Sequence, residues 1–149
     1  GKNDDISMFA MDGEGVDQYL YDLQSFDAVI MGRKTYKQIL QFGKWPYPNK
    51  ECFVVSSKPG KSKNATFVKN PAALVRKLKK SKGKTIWVVG GGKLNTSLIK
   101  AGLVDKLMLF LFPVLLGKGI PMLECEAKLK LTQSKTYKTG GIQLNYKFT

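Results

Sequence analysis

The sequence predicts an α/β fold with a mostly parallel sheet and an antiparallel hairpin at its C-terminal end. Short apolar runs of strand length alternate with segments in which apolar residues follow helical spacing. Near the C-terminal end, two segments of alternating pattern flank Gly140 and Gly141, which is typical of a hairpin. Together these observations indicate a mainly parallel sheet with an antiparallel edge. The 149 residues, 43% of them hydrophobic, suit one globular domain with its own core.

The first predicted element is a helix, whose apolar positions are Val16, Tyr19, Leu20 and Leu23. The apolar run Ala28–Met31 then predicts a strand that ends at Gly32. Thr35 is expected to cap a short helix after this strand. A second strand is predicted over Cys52–Ser57, and it stops before Pro59.

The middle of the chain continues the alternation. Ala65–Val68 predicts another short strand. Asn70 followed by Pro71 predicts a helix start, because a capping side chain precedes a first-turn proline. This helix is expected to close at Gly83, and Thr85–Val89 predicts the strand that follows.

The last part of the chain supplies one helix and the antiparallel strands. The helix is expected to begin near Asn95 or Thr96 and to end at Gly102. A long apolar strand is predicted over Lys106–Leu116, and the hairpin lies within Leu131–Phe148.

The composition limits the chemistry. A formal net charge of +14 attracts anions such as nucleic acid, acidic lipid or phosphorylated small molecules, although a solvated lysine-rich surface explains it equally well. With no histidine, acid–base work must fall to a carboxylate, Lys, Tyr, Cys or water. Two cysteines make neither a disulfide framework nor a metal site. No signal peptide or membrane-spanning run is recognised, so a cytoplasmic protein is expected.

Three segments share one form: a strand, then Gly or Ser, then a basic residue. They are VIMGRKT at 29–35, FVVSSK at 53–58 and WVVGGGK at 87–93. Ligands bind beyond the carboxyl ends of parallel strands, and glycine at a helix N-terminus lets a phosphate reach the backbone. Arg33, Lys34 and Lys58 would supply charge for a further phosphate, which favours NADP over NAD. Taken singly, each segment is also typical of an ordinary turn or solvated loop.

The same segments resemble a known family. VIMGRKTY, VVSSKPG with TFVKN, and IWVVGGGKL are similar, in order and spacing, to the cofactor-binding segments of dihydrofolate reductase. AGLVDKLMLFLFPVLLGKGIPMLE at 101–124 resembles the reductase domain of riboflavin biosynthesis and its stand-alone relatives, which share that fold. The resemblance implies a three-layer α-β-α dihydrofolate reductase-like fold and an NADP-dependent oxidoreductase. It also implies a first strand, but the N-terminal GKNDDIS resembles the loop that follows this strand in the family. Residues 1–149 are therefore expected to form one domain without it, either because the numbering starts inside a longer protein or because the strand is absent.

The resemblance also implies roles for single residues. The matched cofactor-binding positions are Gly32, Arg33, Lys34, Thr35, Ser56, Ser57, Lys58, Val89, Gly90, Gly91, Gly92, Lys93 and Leu94. A cis peptide is expected between the first two glycines of the triplet. Asp17, or alternatively Glu14, comes nearest to the carboxylate that anchors the substrate ring in the folate enzymes. The resemblance thereby makes Asp17 the predicted catalytic residue, although an aspartate favoured by the dipole near a helix N-terminus is the simpler explanation of this position.

Three departures argue against folate as substrate. Lys50 replaces an arginine that grips the folate tail, and lysine lacks the rigid guanidinium fork. Phe110 or a neighbour replaces a threonine, and Asn95 replaces an aromatic residue. The expected reaction is therefore NADPH-dependent hydride transfer to a C=N or C=O bond of a small heterocyclic or sugar-like substrate, of the kind catalysed by 5-amino-6-(5-phosphoribosylamino)uracil reductase.

Other interpretations stay open. The chain could bind a nucleotide without catalysis, or it could bind nucleic acid through Trp45, Tyr47 and the lysine run, although no nucleic-acid motif is recognised. The apolar stretch Pro113–Leu123 is a candidate homodimer contact or active-site wall, or else an ordinary strand and loop. No metal and no membrane partner are expected.

Overall fold

The computed structural model describes residues 14–81 and 85–149, beginning with helix α1 (Glu14–Gln24). Their contacts form two compact units. Of the described residues, the parallel unit comprises 23–81, 85–103 and 122–125, and the antiparallel unit comprises 14–22, 104–121 and 126–149. The predictions for the N-terminal segment and for Gly83 lie outside the described residues. Within the described ranges, no helix is both long enough and apolar enough to cross a bilayer.

A four-stranded parallel sheet forms the centre of the parallel unit. Its strands are β1 (Ala28–Gly32), β2 (Glu51–Val55), β3 (Thr66–Val68) and β4 (Ile86–Gly90). The strand order is β3-β2-β1-β4, so β1 has a neighbour on both sides. The side chains of Ala28–Met31 have no exposed surface, as expected for a parallel strand covered on both faces. β1 is therefore the middle of this unit's core.

Three helices alternate with these strands. They are α2 (Arg33–Gln41), α3 (Pro71–Lys80) and α4 (Gly92–Lys100). The start of α3 is as predicted: the Asn70 side chain accepts a hydrogen bond from the Ala73 N–H at 2.9 Å, and Pro71 opens the helix. The cap satisfies one of the first-turn N–H groups that would otherwise lack an intrahelical partner.

The antiparallel unit contains a three-stranded sheet. Its strands are β5 (Lys106–Leu111), β6 (Leu129–Thr136) and β7 (Ile142–Phe148), with β7 in the middle. The turn between β6 and β7 is closed by a hydrogen bond from the Tyr137 N–H to the Gly141 carbonyl at 2.9 Å. A Cβ atom at Gly141 would lie 2.8 Å from the ring of Phe110, so the turn packs against that ring only with glycine there.

The predicted fold class is confirmed, but both helices that follow glycines start earlier than expected. Gly32 is the N-cap residue of α2, so Thr35 lies inside the first turn rather than at the cap. Gly91 is the N-cap residue of α4, so the helix does not begin near Asn95 or Thr96. Glycine is an accepted N-cap residue although it has no side chain to signal it, so no capping side chain marks either start.

The long strand predicted over Lys106–Leu116 is wrong in its second half. β5 ends at Leu111, shortly before Pro113, whose missing N–H cannot join a sheet ladder. The segment that follows is not a buried strand: Leu115 is 99% exposed and Ile120 is 82% exposed.

Candidate functional site

Three neighbouring strands of the parallel unit end side by side. Gly32, the last residue of β1, pairs with Val55 at the end of β2. On the other side, Met31 pairs with Gly90 at the end of β4. The strands are parallel, so the three segments predicted to bind phosphate leave the same edge of the sheet.

The two glycine turns lie against each other. A Cβ atom at Gly32 would lie 3.6 Å from the Gly90 carbonyl oxygen and 3.7 Å from the Gly91 nitrogen. A Cβ atom at Gly91 would lie 4.0 Å from the Thr35 hydroxyl. The Gly90–Gly91 peptide is cis, as the family resemblance implied, and Gly90 has a φ of 125° that favours glycine. The backbone of Gly32 therefore faces the backbone of Gly90 and Gly91 at this edge of the sheet, with no side chain between them.

Helices α2 and α4 both begin at these turns, and neither has a capping side chain. Neither N-cap residue makes a side-chain hydrogen bond, and neither helix has an acidic residue in its first turn. Their first N–H groups and the positive ends of their dipoles are thus not engaged by a capping side chain or a first-turn carboxylate. Two such N-termini on one sheet edge make a favourable place for an anion.

Arg33 connects the first segment to the second. Its Nη1 donates hydrogen bonds to Ser56 Oγ at 3.0 Å, to the Lys58 carbonyl at 3.1 Å and to the Pro59 carbonyl at 3.3 Å. Its guanidinium carbon lies 5.5 Å from the centroid of the Phe67 ring. None of these partners is an anion, so they fix the guanidinium in place without neutralising its charge.

The remaining predicted cofactor positions also lie in the parallel unit. Lys34, Ser57, Lys58 and Lys93 are exposed, Thr35 and Val89 are partly buried, Leu94 is buried, and Gly92 opens α4. The basic side chains are therefore accessible to a ligand at the sheet edge, while Leu94 belongs to the packing of α4.

Asp17, the predicted catalytic residue, lies on α1 in the antiparallel unit, and its side chain is exposed. All of the predicted cofactor residues belong to the other unit. The role of Asp17 thus stays a prediction from the family resemblance.

The three positions that depart from the folate pattern have structural partners of their own. Lys50 Nζ donates hydrogen bonds to the carbonyl oxygens of Phe26 and Gln24. The Asn95 side chain lies 3.6 Å from the Cβ position of Gly90. The Phe110 ring packs against Phe112 and Tyr137, with ring centroids 4.8 Å and 5.4 Å away.

Cys52 is not a candidate nucleophile. Burial raises the pKa of its thiol to about 11, although a hydrogen bond with Trp45 and the charge of Lys50 lower it. A nucleophilic cysteine needs the thiolate, and at neutral pH this thiol stays protonated.

Sequence reasoning missed a polar pocket in the antiparallel unit. It has a volume of about 180 Å³ and is lined by Gln18, Asp22, Met108, Gln133, Lys135, Gln143 and Asn145. A signal was available: Gln143 and Asn145 alternate along the middle strand of the sheet, where apolar residues are usual on an inward face. Gln18 and Asp22 likewise share one face of α1, since they are four residues apart.

Comparison with known proteins agrees with this geometry. The model of the RibD C-terminal domain matches residues 49–143. Two uncharacterized proteins of Bacillus subtilis (strain 168) are similar: YwjB is 34% identical, covering 91% of this chain and 81% of YwjB, and YyaP is 31% identical, covering 98% and 86%.

Two solved structures share the fold. One is a protein from Shewanella sp. PV-4 whose name assigns it provisionally to riboflavin biosynthesis. It has a TM-score of 0.78 at 22% identity, and the match covers 93% of this chain and 81% of the Shewanella chain. A pyrimidine reductase-like protein from Corynebacterium diphtheriae NCTC has a TM-score of 0.63 at 15% identity, with 93% and 83% covered.

The parallel sheet with its paired glycine turns, the separate antiparallel sheet and the likeness to the solved structures define the class of protein with a dihydrofolate reductase-like fold. Within that class, the family model covers well over half of the chain and two relatives exceed 30% identity. The chain belongs to the RibD C-terminal domain family.

Proposed function

We propose that this chain is an NADPH-dependent reductase of a small heterocyclic or sugar-like substrate. One observation carries the proposal: three adjacent strand ends bring together bare glycine backbone, two helix N-termini without capping side chains, and a fixed arginine. The family and the reductase-like fold neighbours support a reductase-type function in riboflavin biosynthesis.

The residues at this edge fit a dinucleotide that carries an extra phosphate. At Gly32 and Gly91 few protein atoms lie within 4 Å of a Cβ position, so a diphosphate has room against the main chain. Arg33 offers planar donors for a 2′-phosphate, and the exposed Lys34 and Lys58 add positive charge. Ser56 and Ser57 would contact the adenosine side.

In the proposed mechanism, bound NADPH supplies a hydride for a C=N or C=O bond of the substrate. The glycine turns and the N–H groups of α2 and α4 would hold the diphosphate and so would orient the cofactor. The Asp17 carboxylate hydrogen-bonds N–H groups of the substrate ring. With no histidine in the chain, the balancing proton comes from water or from a carboxylate such as Asp17.

The substrate is proposed by class. Lys50 is engaged with backbone carbonyls and lacks the arginine fork, which disfavours a folate tail carboxylate. A substrate like 5-amino-6-(5-phosphoribosylamino)uracil agrees with the names of the fold neighbours.

The direct test measures the affinity of the protein for NADPH and for NADH by fluorescence titration. We compare the wild type with Arg33→Ala, and with Lys37→Gln as a control, because Lys37 is an exposed cation one turn further along α2. We expect micromolar binding that prefers NADPH. Arg33→Ala should weaken NADPH at least about tenfold, the size of one charge-assisted hydrogen bond, and NADH much less. Lys37→Gln should change neither.

Absence of NADPH binding by the wild type would defeat the proposal, and salt-sensitive DNA binding in its place would favour a nucleic-acid protein. Equal losses for NADPH and NADH in Arg33→Ala would remove the 2′-phosphate role of Arg33. Bound NADPH without turnover of any pyrimidine or sugar-like carbonyl compound would indicate a non-catalytic nucleotide binder.

The role of Asp17 is tested separately. Asp17→Asn removes the charge and the proton-transfer capacity without changing the shape of the side chain. It should lower turnover by about 10²-fold or more, the usual size of a general acid–base contribution, and leave the NADPH affinity unchanged. Unchanged turnover would contradict a catalytic role and would indicate that Asp17 is a surface residue favoured only by the helix dipole.

A further inference from the structure

The polar pocket of the antiparallel unit is lined almost entirely by hydrogen-bonding side chains. Its volume of about 180 Å³ is smaller than the ~300–1,000 Å³ typical of sites for drug-sized ligands, so its occupant is small. Among the described residues that line it, Met108 is the one apolar residue and none is aromatic. A stacked base is therefore a poor match for this pocket.

The carboxamides of the pocket form a directed network. Gln143 Oε1 accepts from Tyr137 OH at 2.7 Å, Asn145 Oδ1 accepts from Gln143 Nε2 at 3.2 Å, Gln133 Oε1 accepts from Asn145 Nδ2 at 3.1 Å, and Gln18 Oε1 accepts from Lys135 Nζ at 2.9 Å. Every carboxamide oxygen thus already accepts a hydrogen bond. Each NH₂ group carries two hydrogens, of which these bonds use at most one. The pocket consequently offers mainly donors.

Lys135 adds a positive charge that this network holds in place. Its ammonium donates to Gln18 Oε1 and lies 5.0 Å from the centroid of the Tyr137 ring. Neither partner is an anion, so the charge is oriented without being neutralised by them. An ammonium among N–H donors favours a carboxylate as the occupant.

The carboxylate of Asp22 further restricts the class of ligand that this pocket can bind. Its Oδ1 accepts a hydrogen bond from Gln18 Nε2 at 2.9 Å, so Gln18 connects it to Lys135. A carboxylate on the lining repels a dianion such as phosphate, whereas it attracts an ammonium or hydroxyl group. A ligand with a carboxylate at one end and such a donor beside it would match both charged residues.

We propose that this pocket binds a small α-amino or α-hydroxy carboxylate. Lys135 and the carboxamide NH₂ groups of Gln133 and Asn145 hold the carboxylate, and Asp22 holds the ammonium or hydroxyl group. All lining residues lie in the antiparallel unit and none belongs to the predicted cofactor set. The inference therefore stands or falls separately from NADPH binding.

The test is isothermal titration of the full chain with L-alanine and L-lactate, beside neutral lactamide and inorganic phosphate. Lys135→Met removes the charge while keeping the length of the side chain. Lys130→Met is its control, since Lys130 is exposed on the same strand and does not line the pocket. We expect one carboxylate to bind, with lactamide and phosphate at least about tenfold weaker, and Lys135→Met to weaken that carboxylate at least about tenfold.

Asp22→Asn identifies the second group. If alanine is the ligand, its binding should weaken at least about tenfold, because the ammonium loses a carboxylate partner; if lactate is the ligand, its binding should weaken much less. The proposal is overturned if no carboxylate binds at millimolar concentration, if lactamide or phosphate binds as tightly, or if Lys130→Met causes the same loss as Lys135→Met. Circular dichroism of each variant excludes unfolding as the cause of a loss.

Discussion

The change Gly32→Ala should separate stability from cofactor binding. Gly32 has φ −75° and ψ 160°, a conformation that alanine adopts without strain. The added methyl would meet Gly90 O at 3.6 Å and Gly91 N at 3.7 Å, which are ordinary contacts. The fold should therefore accept the methyl group, although the group occupies the space between the two glycine turns.

The change should raise the stability of the fold and lower the affinity for NADPH. An alanine that fits the native backbone restricts the unfolded chain and stabilises by about 0.4–1 kcal/mol, so the melting temperature should rise by roughly 1–4 °C. If the diphosphate of NADPH lies against this backbone, the methyl displaces it and at least one hydrogen bond to a charged group is lost. Such a bond contributes about 1.5–3 kcal/mol, which predicts NADPH binding that is about 10- to 150-fold weaker.

Differential scanning calorimetry and fluorescence titration measure the two quantities on the same sample. Gly119→Ala is the matched control, because no atom lies within 4 Å of its Cβ position and its backbone is not in the left-handed region. It should leave NADPH affinity unchanged. NADPH affinity of Gly32→Ala equal to that of the wild type would refute the reasoning, and a lowered melting temperature would show that the methyl is not tolerated.

Three further results are expected. Gly60→Ala should destabilise by about 1–3 kcal/mol in urea unfolding, since its Cβ would lie 2.5 Å from the Phe67 ring, and Phe67→Leu in the same chain should recover part of the loss. Asn70→Ala should cost about 1 kcal/mol through loss of the helix cap, whereas Asn70→Ser should cost little; equal costs would argue against the cap. Burial raises the pKa of the Cys52 thiol from 9.0 to about 11. The contribution of the buried, protonated thiol to the stability of the folded state is therefore fully present below about pH 9 and is lost as the pH rises through 11. A thiol reagent at pH 8 should therefore label Cys125 and spare Cys52, and rapid labelling of both in the folded protein would contradict this pKa.

The strands and their carboxyl ends could be predicted from the sequence because two local signals coincide there. The run Ala28–Met31 is continuous and apolar, as a strand buried on both faces must be, and Gly32 follows it directly. The same pairing of an apolar run with glycine marks the end of β4. Asn70 and Pro71 likewise mark a helix start through a side-chain cap and a fixed φ.

Two features were not predictable in the same way: the N-terminal boundaries of α2 and α4, and the polar pocket. Gly32 and Gly91 cap their helices without a side chain, so no residue type announces the boundary. The pocket depends on register: Lys135 on β6 pairs with Gln143 on β7, and a shift of the ladder near Leu131 changes which side chains share a face. A single sequence does not reveal that pairing.

The central claim is that the edge formed by the ends of β1, β2 and β4 binds NADPH. Two-dimensional ¹H–¹⁵N NMR of the labelled protein during an NADPH titration tests it most directly. We expect saturable shifts of the backbone amides of Arg33, Ser56, Gly91 and Gly92, with amides of the β6–β7 hairpin unchanged. Saturable binding that leaves these four amides unshifted, or no shifts at millimolar NADPH, would contradict it.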